Sequence, residues 1–187
     1  MGHGAKNFPA ACRSGGRSFD ALVAGDVPPR EREDDVMQKI TTYLWFDKEA
    51  EEAATFYTSL FPGSRIGDVQ RYPEGGVMTV TFELAGQRYI ALNGGPEFKF
   101  TEAISLYVDC ESQEEVDELW ARLTEGGEES QCGWLKDRYG LSWQIIPRAL
   151  TDLIGGSDPA TSARVVQAML GMKKIEVQGL LDAAART

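Results

Sequence analysis

Histidine is almost missing from this sequence. One residue in 187, His3, carries an imidazole, and it lies close to the N-terminus. That scarcity excludes a Ser–His–Asp triad, a Cys–His dyad and a multi-histidine metal centre, each of which needs an imidazole inside the folded part. Cysteine is nearly as sparse. Cys12, Cys110 and Cys132 are odd in number and widely spaced, with no CxxC pair. They read as reduced thiols of a cytoplasmic protein. No apolar run approaches the ~18 residues of a membrane span, and Lys6, Arg13 and Arg17 precede no apolar stretch of a secretory signal. Positive charge is short too: 19 Lys and Arg stand against 29 Asp and Glu, a net charge of −10. Nucleic acid and anionic membrane are thereby excluded as main partners, because phosphate binding relies on clustered Lys and Arg.

What remains is an ordinary globular composition, 42% hydrophobic and 26% charged. It suffices for one compact domain or two small halves sharing a core. Residues 1–36 stand apart. They hold five Gly and three Pro with scattered charge, the composition of a disordered tail. Met37 is the expected natural start, since Arg30-Glu31-Arg32-Glu33 fits purine-rich codons like those of a ribosome-binding site. The expected domain is 37–187. The tail has five basic and six acidic residues, so nine of the ten net negative charges belong to that domain.

Beyond Gln38 the periodicity reads as strand, helix, strands, and then the same again. Ile40–Phe46 is β-branched and aromatic, a buried strand. Asp47 is positioned to cap a helix whose Ala50, Ala53, Ala54, Tyr57 and Leu60 share one face. Strands follow over 65–71, 77–84 and 87–93, the last two as a hairpin with Met78, Val80 and Phe82 on one face. After the loop 94–100, Ile104–Asp109 is a strand. Ser112-Gln113-Glu114-Glu115 is a capping box, opening a helix with Val116, Leu119, Trp120 and Leu123 at core spacing. Strands near 130–136 and 141–147 follow, then helices over about 148–154, 159–171 and 174–185. The middle helix shows an apolar face of Ala163, Val166, Met169 and Leu170. The expected class is α+β: paired βαβββ modules, residues 38–94 and 103–147, with C-terminal helices over 148–185.

Six stretches give the pattern an identity: QKITTYLWFD (38–47), AEEAATFY (50–57), LFPGSRI (60–66), ALNGGPEFKFTEAIS (91–105), QCGWLKDRYGLSWQIIP (131–147) and AMLGMKKI (168–175). With them the chain resembles the PhnB-like proteins, often labelled 3-demethylubiquinone-9 3-methyltransferase, of the vicinal oxygen chelate superfamily. That superfamily includes glyoxalase I, bleomycin-resistance proteins and extradiol dioxygenases. The label does not find support in the residues: no glycine-rich turn follows the first strand to open a nucleotide-binding βαβ unit. The resemblance implies a cup formed by the two sheets, often completed in a homodimer. It also implies a divalent metal held by His and Glu from four strands. Carried over, those positions fall at Thr42, Asn93, Ala103 or Ile104, and Gln144. This set offers neither imidazole nor carboxylate, so no metal and no cofactor is expected.

The expected function is therefore metal-free binding of a small molecule in the cup. An enzyme working with side chains alone (Gln144, Tyr107, Asn93 or Cys132) and a structural or regulatory partner protein are the alternatives. If Thr42 faces the cup, alternation brings Leu44 and Phe46 with it. Ser105 and Tyr107 on the fifth strand and Gln144 on the last share that side, with Asn93, Phe98, Phe100, Cys132 and Trp134 in segments near the mouth. Aromatic walls with a few amides and hydroxyls suit a planar or sugar-like ligand.

Overall fold

The computed structural model describes residues 39–156 and 158–186. The tail, His3 and the start expected at Met37 lie outside the described residues. The first module runs β1 (Thr42–Phe46), α1 (Ala50–Thr58), β2 (Arg65–Arg71), β3 (Val77–Leu84) and β4 (Gln87–Asn93). The second repeats the order as β5 (Leu106–Cys110), α2 (Gln113–Thr124), β6 (Glu128–Glu129), β7 (Trp134–Lys136) and β8 (Ser142–Pro147). Helices α3 (Arg148–Ile154), α4 (Pro159–Leu170) and α5 (Val177–Ala185) follow as a C-terminal arm.

Each module forms a four-stranded sheet of the same topology, β1-β4-β3-β2 and β5-β8-β7-β6. The first strand of each pairs in parallel with the last, and the others are antiparallel. A parallel pair needs a crossover, which α1 and α2 supply. This is the paired βαβββ architecture expected from the sequence. Two strand limits differ. The first begins at Thr42 rather than Ile40, whose side chain is 83% exposed, and the fifth at Leu106 rather than Ile104, also exposed. The short β6 lies just ahead of the segment expected as a strand near 130–136, and within that segment only Trp134–Lys136 is strand.

Local signals explain the helices. Ser112 Oγ accepts from Glu115 N at 3.3 Å, and Glu115 reaches back to the N–H of Glu111 at 2.7 Å, so the capping box is present with its return bond one residue early. Val116, Leu119, Trp120 and Leu123 of α2 are all buried, as are Ala50, Ala53, Ala54 and Tyr57 of α1. The cap of α1 comes from elsewhere. Asp47 makes no cap; Asn93, at the end of β4, accepts from Ala50 N at 2.8 Å and donates to Val77 O at 3.0 Å.

One core joins both modules. Leu44, Phe46, Val80, Phe82 and Ala91 of the first sheet share a buried cluster with Leu135, Trp143 and Ile145 of the second and with the inner faces of α1 and α2. At its centre Tyr57 lies 5.3 Å from the Trp143 ring and donates its hydroxyl to Asp137 Oδ2 at 2.7 Å. Trp143 Nε1 donates to the same oxygen at 2.9 Å, and the N–H groups of Tyr139 and Leu141 serve Oδ1. Asp137 is 3% exposed with every lone-pair direction used. The arm has a separate small cluster of Ile146, Leu150, Val165, Ile175 and Leu180. In α4 the buried residue is Val165, with Leu170 and Ala163 exposed, so the packed face is rotated from the one expected.

Candidate functional site

Burial assigns the two faces of each sheet. On β1, Leu44 and Phe46 are 2% and 3% exposed and belong to the helix-covered core. By alternation Thr42 shares that side, and Tyr43 and Trp45 take the open one. The expectation that Thr42, Leu44 and Phe46 face the cup is thus reversed in sense. Period two binds the three together correctly, but it does not say which side the helix covers, and both sides carry aromatics. On the second sheet, Leu106, Val108, Trp143 and Ile145 pack on the helix side, leaving Tyr107, Gln144 and Trp134 on the open side.

There the register builds a row. Tyr107 of β5 lies directly opposite Gln144 of β8, and Gln144 lies directly opposite Trp134 of β7. An amide therefore sits between two rings across about 10 Å of sheet. Gln144 Nε2 donates to Ser105 Oγ at 2.8 Å. The arm borders this row and leaves it open to solvent at Tyr107, which is 51% exposed. A cavity of about 480 Å³ is lined by Tyr107, Cys132, Trp134 and Gln144 from the sheet side and by Leu150, Ile154 and Met169 among others from α3 and α4. Burial, with Asp109 nearby, pushes the Tyr107 phenol up, keeping it neutral. Cys132 stands at φ +59°, in the left-handed region, and its N–H donates to Met172 O at 2.8 Å, as does that of Gly133 to Lys173 O at 2.7 Å. Those two bonds moor the arm to the lip of the cavity.

Five of the expected residues are therefore brought together: Ser105, Tyr107, Cys132, Trp134 and Gln144. Phe46, Phe98 and Phe100 border a different cavity, about 540 Å³, between the end of β1, the loop after β4 and the β7–β8 turn. Phe98 meets Trp45 edge-on at 5.0 Å and Phe100 meets Phe46 at 5.2 Å. Asn93 is at neither: both ends of its amide are spent on the α1 cap. Sequence reading missed Leu150 and Ile154 of the arm as site residues, and had Met169 only as part of the apolar face expected on α4.

The divalent-metal positions implied by the resemblance do not fit that role. Thr42 belongs to the core side of β1, Asn93 is consumed as a cap, Ala103 has no donor, Ile104 is apolar and exposed, and Gln144 is a neutral amide. Among the described residues no group of three or more His, Cys, Asp or Glu is placed to hold a metal.

A family model described as 3-demethylubiquinone-9 3-methyltransferase matches residues 38–146. The chain belongs to this family. Of the solved structures, the PhnB protein of Bacillus cereus is 41% identical, covering 59% of this chain and 99% of its own, with a TM-score of 0.56. Protein PA1353 of Pseudomonas aeruginosa shares the fold at 19% identity, covering 58% of this chain and 96% of its own, with a TM-score of 0.50. A glyoxalase/bleomycin resistance protein/dioxygenase of Alicyclobacillus acidocaldarius aligns at 13% identity over 56% of this chain and 88% of its own, with a TM-score of 0.35. No curated protein matches the chain. The family segment ends at Ile146, where β8 is about to give way to α3, so the arm that borders the cavity lies beyond it.

Proposed function

We propose that this member of the family binds a small molecule on the open face of its second sheet, beside the C-terminal arm, without a metal ion. The observation that carries the reading is the ring–amide–ring row of Tyr107, Gln144 and Trp134 as the floor of a cavity walled by the C-terminal arm. Its size lies within the range of small-molecule sites, and a mostly apolar lining with a few polar groups is their usual make-up. The methyltransferase in the family's description is not carried over. Each sheet is mixed, and the turn after β1 is Asp47-Lys48-Glu49, without the glycines that let a backbone approach a nucleotide.

A homodimer belongs to the same reading. The open face of the first sheet carries Tyr43, 54% exposed, with Trp45, Ile90 and Leu92 part-buried, and among the described residues no arm borders it as α3 and α4 border its counterpart. A second copy is the occupant we assign to it. Among the described residues no helix is long and apolar enough to cross a membrane, and both described cysteines are free, which supports the cytoplasm as the working compartment.

The test is a thermal-shift screen of small aromatics and sugars on metal-stripped protein, with light scattering for mass. Stabilisation by a ligand, lost in Trp134→Ala and indifferent to added zinc, nickel or iron, is the expected result. Stoichiometric metal whose removal abolishes binding overturns the metal-free part. Turnover of a bound compound shifts the reading to an enzyme. A stable complex with another protein and no small ligand shifts it to a partner protein.

A further inference from the structure

We propose that the cavity selects an uncharged, flat aromatic molecule that presents an N–H or O–H donor to Gln144; this rests on the binding reading above and names the ligand class. Charge decides the first half. Among the described residues no acidic or basic side chain lines the cavity. The two charged residues that flank the row on the same face are neutralised by partners: Asp109 accepts from Arg148 at 2.8 and 3.0 Å, and Lys136 pairs with Glu102 at 2.5 Å. A carboxylate or ammonium laid against the row gives up part of its hydration and meets no free counter-charge, which opposes its binding. The phenol of Tyr107 adds none.

Hydrogen-bond accounting decides the second half. An amide side chain has two N–H donors and a carbonyl oxygen that only accepts. Gln144 spends one of those donors, from Nε2, on Ser105 Oγ. Its Oε1 has no partner among the described residues. A ligand that covers it must bring a donor, because an acceptor shut away from water without a partner opposes binding. Shape follows from the floor and the wall. Tyr107 and Trp134 flank the amide at strand spacing, which suits the faces of a flat ring system. Leu150 and Ile154 offer only hydrocarbon beside it. Met169 adds an adaptable thioether that tolerates variation in the ring.

The experiment is a calorimetric titration of the full chain with four matched probes: 2-naphthol, 2-methoxynaphthalene, 2-naphthoate and 2-naphthylmethylammonium. The Trp134 indole N–H resonance reports where each one sits. The expected order is 2-naphthol tightest, its methyl ether at least fivefold weaker, and both ions at least tenfold weaker. In Gln144→Met, a near-isosteric change without the acceptor, 2-naphthol falls to the affinity of its ether. The thermal midpoint and the far-ultraviolet circular dichroism of the variant, compared with those of the native chain, show that it is folded. If either ion binds as tightly as 2-naphthol while moving Trp134, the ligand class is wrong and the site stands. If the ether equals 2-naphthol in the native chain, the donor requirement is wrong. If no probe moves Trp134, both the class and the binding site are overturned.

Discussion

Asn93 and Asp137 show how a single polar side chain is spent in this molecule. Asn93 ties β4 to the start of α1 through Ala50 N and to β3 through Val77 O. Asn93→Ala should lower unfolding stability by about 1–2 kcal/mol, a lost cap plus a neighbouring orphan. Asn93→Asp should fall between, keeping the acceptor for Ala50 N and losing the donor to Val77 O. Urea unfolding reads both, and a midpoint unmoved by the alanine would remove Asn93 from the cap. At Asp137, burial pushes the carboxyl up against four hydrogen bonds that favour its anion. A raised folded pKa means that, above the ordinary Asp value, the native state still holds a proton the unfolded chain has released. This group's contribution is then full below the unfolded pKa and declines as pH rises through the folded one. The stability difference between native chain and Asp137→Asn should therefore shift against the native chain from about pH 4 upward. A shift the other way would mean that the four donors outweigh burial.

At the scale of elements, legibility followed the range of the signal. The helix α2 was readable because its capping box and its i, i+3, i+4, i+7 stripe lie within one segment. The β3–β4 hairpin was readable from alternation across a two-residue turn. The cap of α1 was not, since Asn93 is 43 positions from Ala50 and Asp47 was a nearer candidate. Nor was the sense of β1: Leu44 and Phe46 on one side and Tyr43 and Trp45 on the other are equally apolar stripes, and only the covering helix separates them. At the site, Ser105, Tyr107 and Gln144 were legible as sharing a side, whereas Trp134, expected in a segment near the mouth, belongs to β7 and joins the row there. The arm's part in the site was not legible, because it depends on how α4 is rotated. Gly133, between Cys132 and Trp134, holds floor and arm together. It stands at φ +81°, and a Cβ there would lie 2.6 Å from Ile146 Cδ1 and 2.9 Å from Ile145 O. Gly140 has nearly the same φ, +83°, with open space around it. Gly140→Ala should thus cost only the left-handed strain, about 1–2 kcal/mol. Gly133→Ala should cost clearly more and weaken ligand binding as well. Equal melting shifts for the two would show that the close contact at Gly133 does not matter.

For the whole molecule, two units of cooperativity follow from the two buried clusters. The modules share one core, stitched at Tyr57, Asp137 and Trp143, so neither can open without exposing the other. Both should unfold in a single transition. Tyr57→Phe removes one of the donors to Asp137, and should lower that midpoint by about 1–2 kcal/mol without splitting it. The arm rests on its own smaller cluster and on a few moorings: the Cys132 and Gly133 N–H groups, Gln113 to Ile175 O and Val177 N, and Lys174 to Asp117. A unit with less buried apolar surface opens at lower free energy than the global core. Native-state hydrogen exchange should therefore find the amides of α4 and α5 exchanging through a sub-global opening, and those of β8 and α1 only through global unfolding. Because the cavity lies between the arm and the second sheet, a bound ligand must hold the arm down, and its binding free energy should appear in the protection of α4 and α5. Uniform protection across arm and core in the free protein would join the two clusters into one unit. Ligand-induced protection confined to the first sheet would move the binding site away from Gln144.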